Sequence, residues 1–250
     1  MKRFTEQSLF TFSLVVGIYL ITPYKLLAQS KNIIHGDQQW FQYYNTLILN
    51  PKWDVSTDGG MRYRDGLSTK SQFIVRSQVG YNASESLHLA AGMGYLGYYL
   101  GGKQDIQEFR PHQAITMSSH AGKVKLANRL RIEEQFFSSL GRTNLDYDRF
   151  NFRFRYRLML TLPLISFSQK ESQRKLSLNL GDELFLKAGK EVTGDLFDQN
   201  RFLVGPTYQL NESLGFTLLY QHQYSSSSEE STFIQRDIFW LGINHAISLK

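Results

Sequence analysis

The chain has 250 residues and no cysteine, which excludes disulfide stapling, thiol chemistry and lipid attachment through an N-terminal cysteine. Its 28 basic and 22 acidic residues give a formal charge of +6, a mild excess with no basic run of the kind that tracks nucleic acid. A hydrophobic content of 42% is too low for a bundle of membrane helices, whereas 14% aromatics, with 18 Phe and 14 Tyr, suits a chain that anchors at a membrane interface.

Lys2 and Arg3 precede an apolar run over residues 9–22, and Ala28 offers a small residue at a cleavage point. This pattern predicts a signal peptide over residues 1–28. An uncleaved anchor is the alternative, although the run is shorter than the ~20 apolar residues a spanning helix needs. Cleavage removes Lys2, Arg3, Lys25 and Glu6, taking the charge from +6 to +4. Residues 29–250 then read as one all-β domain, with nothing resembling a linker.

Aromatic residues 37–50 make a first strand-like segment, ended by the turn residues Asn50-Pro51-Lys52. Over 53–64, Trp53, Val55, Met61 and Tyr63 alternate with Asp54, Asp58, Arg62 and Arg64. After a polar loop over 65–71, residues 72–82 set Phe73, Val75 and Val79 against Arg76 and Gln78. Residues 87–99 point Leu89, Met93 and Tyr95 one way and Ala90, Gly92 and Gly94 the other, leaving room beside the glycines for long neighbouring side chains. A loop over 101–105 leads to 108–118, where Glu108, Arg110 and His112 share a face and Gln113 interrupts the apolar one, so a bulge is predicted near Pro111. Residues 124–136 carry Lys125, Arg129, Arg131 and Glu133 opposite Val124, Leu126, Leu130 and Ile132, with Asn128 and Glu134 as polar exceptions on the apolar face.

The clearest stretch is 149–160, RFNFRFRYRLML, in which Arg153, Arg155 and Arg157 occupy one parity and Phe150, Phe152, Phe154, Tyr156, Leu158 and Leu160 the other. Only a period of two sorts them this way. A leucine-rich strand with Glu183 on its polar side follows, then a hairpin over 200–210 and 214–224 carrying Arg201, a polar SSSSEEST stretch, and a final strand over 234–249.

With no helices to cover so many apolar faces, lipid is the expected solvent outside and water or polar side chains inside. The predicted fold is a closed antiparallel transmembrane β-barrel of 10 to 12 strands. Eleven candidate strands can be counted, and simple antiparallel closure needs an even number, so either residues 37–50 are not a full wall strand or one strand is uncounted. Short turns alternate with longer polar loops near Leu67, Gly102, Arg142, Thr193 and Ser227, the rhythm of periplasmic and external connections.

Arg62-Tyr63-Arg64, Arg110 with Gln113, RLRIEEQF over 129–136, FRFRYRL over 152–158, GDELF over 181–185 and FDQNRFLVGPTYQL over 197–210 together resemble the domain of unknown function 2490 family, outer-membrane proteins of Gram-negative bacteria. The resemblance spans nearly the whole mature chain. It implies a barrel exported to the cell outer membrane and no particular activity.

The candidate chemistry is the inward ladder: Arg62, Arg64, Arg76, Arg110, Lys125, Arg129, Arg131, Arg153, Arg155, Arg157 and Arg201, with Glu108, Glu133 and Glu183 as counter-charges. Acids and arginines on neighbouring strands can pair across such a ladder, since same-face neighbours lie within ~5 Å. Three functions remain open: a rigid plugged barrel, a narrow anion-preferring conduit, and an outer-membrane hydrolase or protease. For the last, His112 is the one histidine read as facing inward beside an acid, near Glu108, while Asp54, Asp58 and Asp182 show no acid-pair spacing. No cofactor or metal ligand set is expected. The expected partners are outer-membrane lipid and small anionic solutes, with no nucleic acid, and the protein is expected to be a monomer.

Overall fold

The computed structural model describes residues 32–140, 149–167, 174–189, 196–227, 229 and 231–249; the predicted signal peptide lies outside the described residues. Eleven strands follow one another without a helix among them: β1 (Asn32–Ile48), β2 (Trp53–Arg64), β3 (Thr69–Asn82), β4 (Leu87–Leu100), β5 (Lys103–Ala121), β6 (Val124–Ser139), β7 (Arg149–Ser166), β8 (Lys175–Ala188), β9 (Phe197–Gln209), β10 (Leu214–Ser226) and β11 (Thr232–Ser248). Each is antiparallel to its sequence neighbour and the sheet closes on itself. The predicted closed all-β barrel is therefore the observed architecture.

Closure differs from the expected even count. Residues 32–48 form a full wall strand, antiparallel to β2 and paired with β11 from Asn32↔Thr232 to Ile48↔Ser248 in parallel. With eleven strands there are ten reversals of direction, so the first and last strands point the same way and only a parallel seam can join them. Trp40 and Trp240 meet on that seam with ring centroids 5.2 Å apart in an edge-on arrangement. Trp40 is buried, and its indole Nε1 donates to Gln38 Oε1 at 2.8 Å. These rings supply apolar contact where the ladder itself is the weaker parallel type.

One rim carries tight turns. Asn50 Oδ1 accepts the Lys52 and Trp53 amides at 2.9 and 3.0 Å, and Asn211 Oδ1 accepts those of Ser213 and Leu214 at 2.9 and 2.8 Å. Both are side-chain turns that asparagine makes in place of a backbone bond. At the opposite rim, two expected loops prove to be tight as well. Gly101 and Gly102 both have positive φ, 57° and 81°, so Leu100 pairs directly with Lys103 and β5 begins there rather than at Glu108. Asp65, Gly66 and Leu67 turn likewise, at φ 55°, 62° and 74°.

The bulge expected at Pro111 is absent. Register from Phe109↔Phe136 to Gln113↔Ile132 is unbroken, and the shift on the β4–β5 ladder falls at Tyr98/Tyr99. Gln113 stays on the outer face, where its amide lies 3.5 Å from Glu134 Oε1. The two polar residues of the outer face are thus neighbours, and no bulge is needed to hide one.

Alternation puts Val75, Met93, Leu130, Leu218 and Phe239 on the outer wall, each more than half exposed. Near the loop rim the outer aromatics pack in a band, Phe73 against Tyr95 at 5.7 Å, Phe136 against Phe150 at 4.7 Å and Tyr220 against Phe239 at 5.9 Å. A second band lies toward the turn rim, with Trp53 against Tyr81 at 4.8 Å and Phe167 against Tyr208 at 5.9 Å.

Candidate functional site: an arginine-lined cavity in the lumen

Pairing of β6 with β7 sets Arg129 opposite Arg157, Arg131 opposite Arg155 and Glu133 opposite Arg153, all on the inner face. Across β8, Glu183 stands opposite Arg157 on one side and Arg201 on the other. The alternation that makes the outside apolar therefore stacks guanidinium groups inside.

Glu133, 1% exposed, accepts from Arg153 Nε at 2.8 Å and Nη2 at 2.5 Å and from Arg155 Nη1, and it lies 3.7 Å from Arg131 and 3.9 Å from Arg110. Glu183 accepts from Arg129 Nη2 at 2.7 Å and Arg155 Nη2 at 2.8 Å, with Arg201 at 3.9 Å. Glu108 is held by Arg110, by the Tyr98 hydroxyl at 2.5 Å and by the Gln135 amide at 2.9 Å. On the far wall Asp58 takes Arg76 through Nε at 3.0 Å and Nη2 at 2.9 Å, and also accepts from Gln42. Carboxylates serving two or more forks suit arginine, whose planar donors bind bidentately and keep their charge.

Two buried rings spread this charge further. Phe185 lies 4.5 Å from the Arg155 guanidinium and 4.6 Å from that of Arg201, while Arg62 stacks 3.8 Å over Trp40. An aromatic face attracts a cation without neutralising it. Space for Arg76 comes from Gly94: a Cβ there would lie 2.9 Å from Arg76 Cγ.

Beside the paired band runs a cavity of about 720 Å³. It reaches from Gln38, Ser71 and Arg236 near the loop rim to Thr46, Thr207 and Thr217 near the turn rim. Ten arginines line it against two carboxylates, Asp58 and Glu183. Of the predicted lumen residues, Arg62, Arg76, Arg110, Arg129, Arg131, Arg153, Arg155, Arg157, Arg201 and Glu183 are on this wall. Glu108 and Glu133 are buried behind it, and Lys125, at the turn rim, and Arg64, 3.8 Å from Asp65 at the loop rim, stand off it. Sequence reasoning missed Arg236, although it shares parity with the inward Ile238 and Trp240, and it gave Asp58 no partner because the Arg76 contact depends on register between strands.

The histidine reading needs correction. His88 also faces inward, with Nε2 2.8 Å from Asp54 Oδ2, so His112 is not the sole inward histidine near an acid. Ser56 Oγ donates to Asp54 at 3.3 Å, which puts the hydroxyl on the carboxylate and not on the imidazole, so no nucleophile–base contact forms there. His112 itself sits 3.2 Å from Gln78 Oε1. Asp182, grouped by sequence with Asp54 and Asp58, lies on the other side of the wall, accepting from Asn200 at 2.8 Å on the outer face. Among the described residues no group of acids and histidines could hold a metal ion.

An all-β cylinder, apolar outside and filled inside by arginines that outnumber their counter-ions, defines the class: a closed barrel with a cationic, partly occupied lumen. The chain belongs to the family described as protein of unknown function (DUF2490), whose model matches residues 37–233. No curated protein matches the chain.

Proposed function

We propose that the protein spans the outer membrane as a monomeric barrel and serves as a narrow, anion-preferring conduit for small solutes. Support for the membrane setting comes from the exposed apolar wall, since contiguous patches of that extent are not kept in water, and from the two aromatic bands at interfacial height. The observation that carries the conduit is the composition of the cavity wall, ten arginines to two carboxylates along a path from near one rim to near the other. Rings of fixed positive charge select anions, and a bore narrowed by large side chains passes small solutes at low conductance.

The test is single-channel recording in planar bilayers under a potassium chloride gradient. The proposal expects small steady steps whose reversal potential reports chloride preference, and a weaker preference in Arg62→Gln and Arg236→Gln. Cation preference would overturn it. The band around Glu108, Glu133 and Glu183 favours a second reading, a sealed structural barrel, and a silent bilayer would decide for that one.

A further inference from the structure

We infer that Arg129, Arg131 and Arg157 form a binding site for a phosphate-type oxyanion, free or as the ester of a small polyol; the inference rests on the anion-preferring lumen proposed above and names what that lumen recognises. Arg129 and Arg157 face each other on one rung of the β6–β7 ladder, and the next rung is again a pair of arginines. Like charges opposite one another on a ladder are destabilising, so the arrangement calls for a counter-charge. The fixed acids supply it unevenly. Glu133 and Glu183 are hydrogen-bonded by Arg153, Arg155 and one nitrogen of Arg129, while Arg131 has only a long 3.7 Å contact with Glu133.

The arginines with donors left over are neighbours on the cavity wall. The Nε groups of Arg129 and Arg131 are buried without a hydrogen-bond partner. The Arg157 side chain makes no direct hydrogen bond or ion pair with a described residue; it stands on the cavity wall, with Glu183, Arg155, the Tyr44 hydroxyl and Arg76 in electrostatic reach, and Glu183 is already bonded by Arg129 and Arg155. An unpaired buried donor is costly, more so when it belongs to a charged group, so two on neighbouring rungs beside Arg157 indicate a ligand that supplies the acceptors.

Geometry favours phosphate over carboxylate. A carboxylate offers two coplanar oxygens and is saturated by one guanidinium fork. A phosphate or phosphomonoester presents at least three oxygens in a tetrahedron and about two negative charges, so it can face donors arriving from two rungs at once. Toward the turn rim the wall changes to neutral hydroxyls and amides: Thr207 and Thr217 lie 2.8 Å apart, Asn179 donates to Thr207 at 2.9 Å and Asn244 to Thr217 at 2.9 Å. That belt suits the hydroxyls of an esterified polyol and has no charge to hold a second anion.

The full chain refolded in detergent would be titrated calorimetrically with inorganic phosphate, glycerol phosphate and, at matched ionic strength, acetate. Saturable binding of inorganic phosphate, at least about tenfold tighter than acetate, is expected, with a Tm that rises with phosphate concentration. Tighter glycerol phosphate would assign the threonine–asparagine belt to the ester, and equal affinity would leave the phosphoryl group as the whole ligand. Arg157→Gln should weaken phosphate at least about tenfold, yet melt no lower than the parent without phosphate, because it removes a like-charged rung. Should that variant not fold, Arg157→Lys, which keeps the charge and loses the fork, should still lower the affinity severalfold. Acetate binding as tightly as phosphate, or unchanged affinity in these variants, would overturn the site. A chloride-selective current from a protein that does not bind phosphate sinks this inference alone, whereas phosphate binding by a non-conducting barrel sinks the conduit alone.

Discussion

Glu133 is wrapped by guanidinium groups on every polar side, and its burial makes the wrapping obligatory. Glu133→Gln would leave Arg153, Arg155 and their neighbours repelling one another in a space with little water, and removing one partner of a buried ion pair costs about 3–5 kcal/mol. Denaturant unfolding from detergent should show a loss of that order, while Glu134→Gln, one residue along and on the outer face, should stay within about 1 kcal/mol of the parent. At this scale the sequence was informative about which way a side chain points and poor about what it meets. Strand parity separated Arg153, Arg155 and Arg157 from the phenylalanines between them. Parity could not show that Arg155 bonds directly to two carboxylates while Arg157, opposite Glu183, bonds directly to neither, because those contacts depend on register with β6 and β8. The same blindness hid the His88–Asp54 pair, whose members are separated by 34 residues.

Strands with strict alternation, such as β7, declare themselves, whereas closure and connections depend on pairings that no single segment carries. The parallel seam is the clearest case. Nothing local to residues 32–48 distinguishes a strand that closes a barrel from one that merely leads into it, and parity alone argued for ten or twelve strands. Tight turns at Gly101-Gly102 and Asp65-Gly66 were hidden differently: a polar stretch reads as loop unless positive φ at adjacent residues is taken as a hairpin signal. Because the seam's ladder is the weaker kind, it relies on Trp40 and Trp240, and Trp40→Ala should cost about 3–5 kcal/mol by cavity formation. Hydrogen exchange should show β1 and β11 losing protection before β6 and β7 in that variant. Uniform loss around the barrel would mean that the seam is not a separable element.

Across the whole molecule, one alternation gives the cylinder an apolar outer face and an ionic inner one. The exposed leucines and phenylalanines make the outer wall apolar, the closed sheet leaves no unpaired edge, and the arginine excess gives the lumen its sign. The absence of cysteine makes a direct test simple, because single cysteines can be placed without a background. Thr217, on the cavity wall, and Leu218, 51% exposed on the outside, are adjacent in β10. With a fluorophore on each in turn, in vesicles, nitroxide lipids should quench Leu218→Cys and spare Thr217→Cys, while aqueous iodide should do the reverse. Iodide quenching of Leu218→Cys together with lipid quenching of Thr217→Cys would turn the barrel inside out and contradict the account.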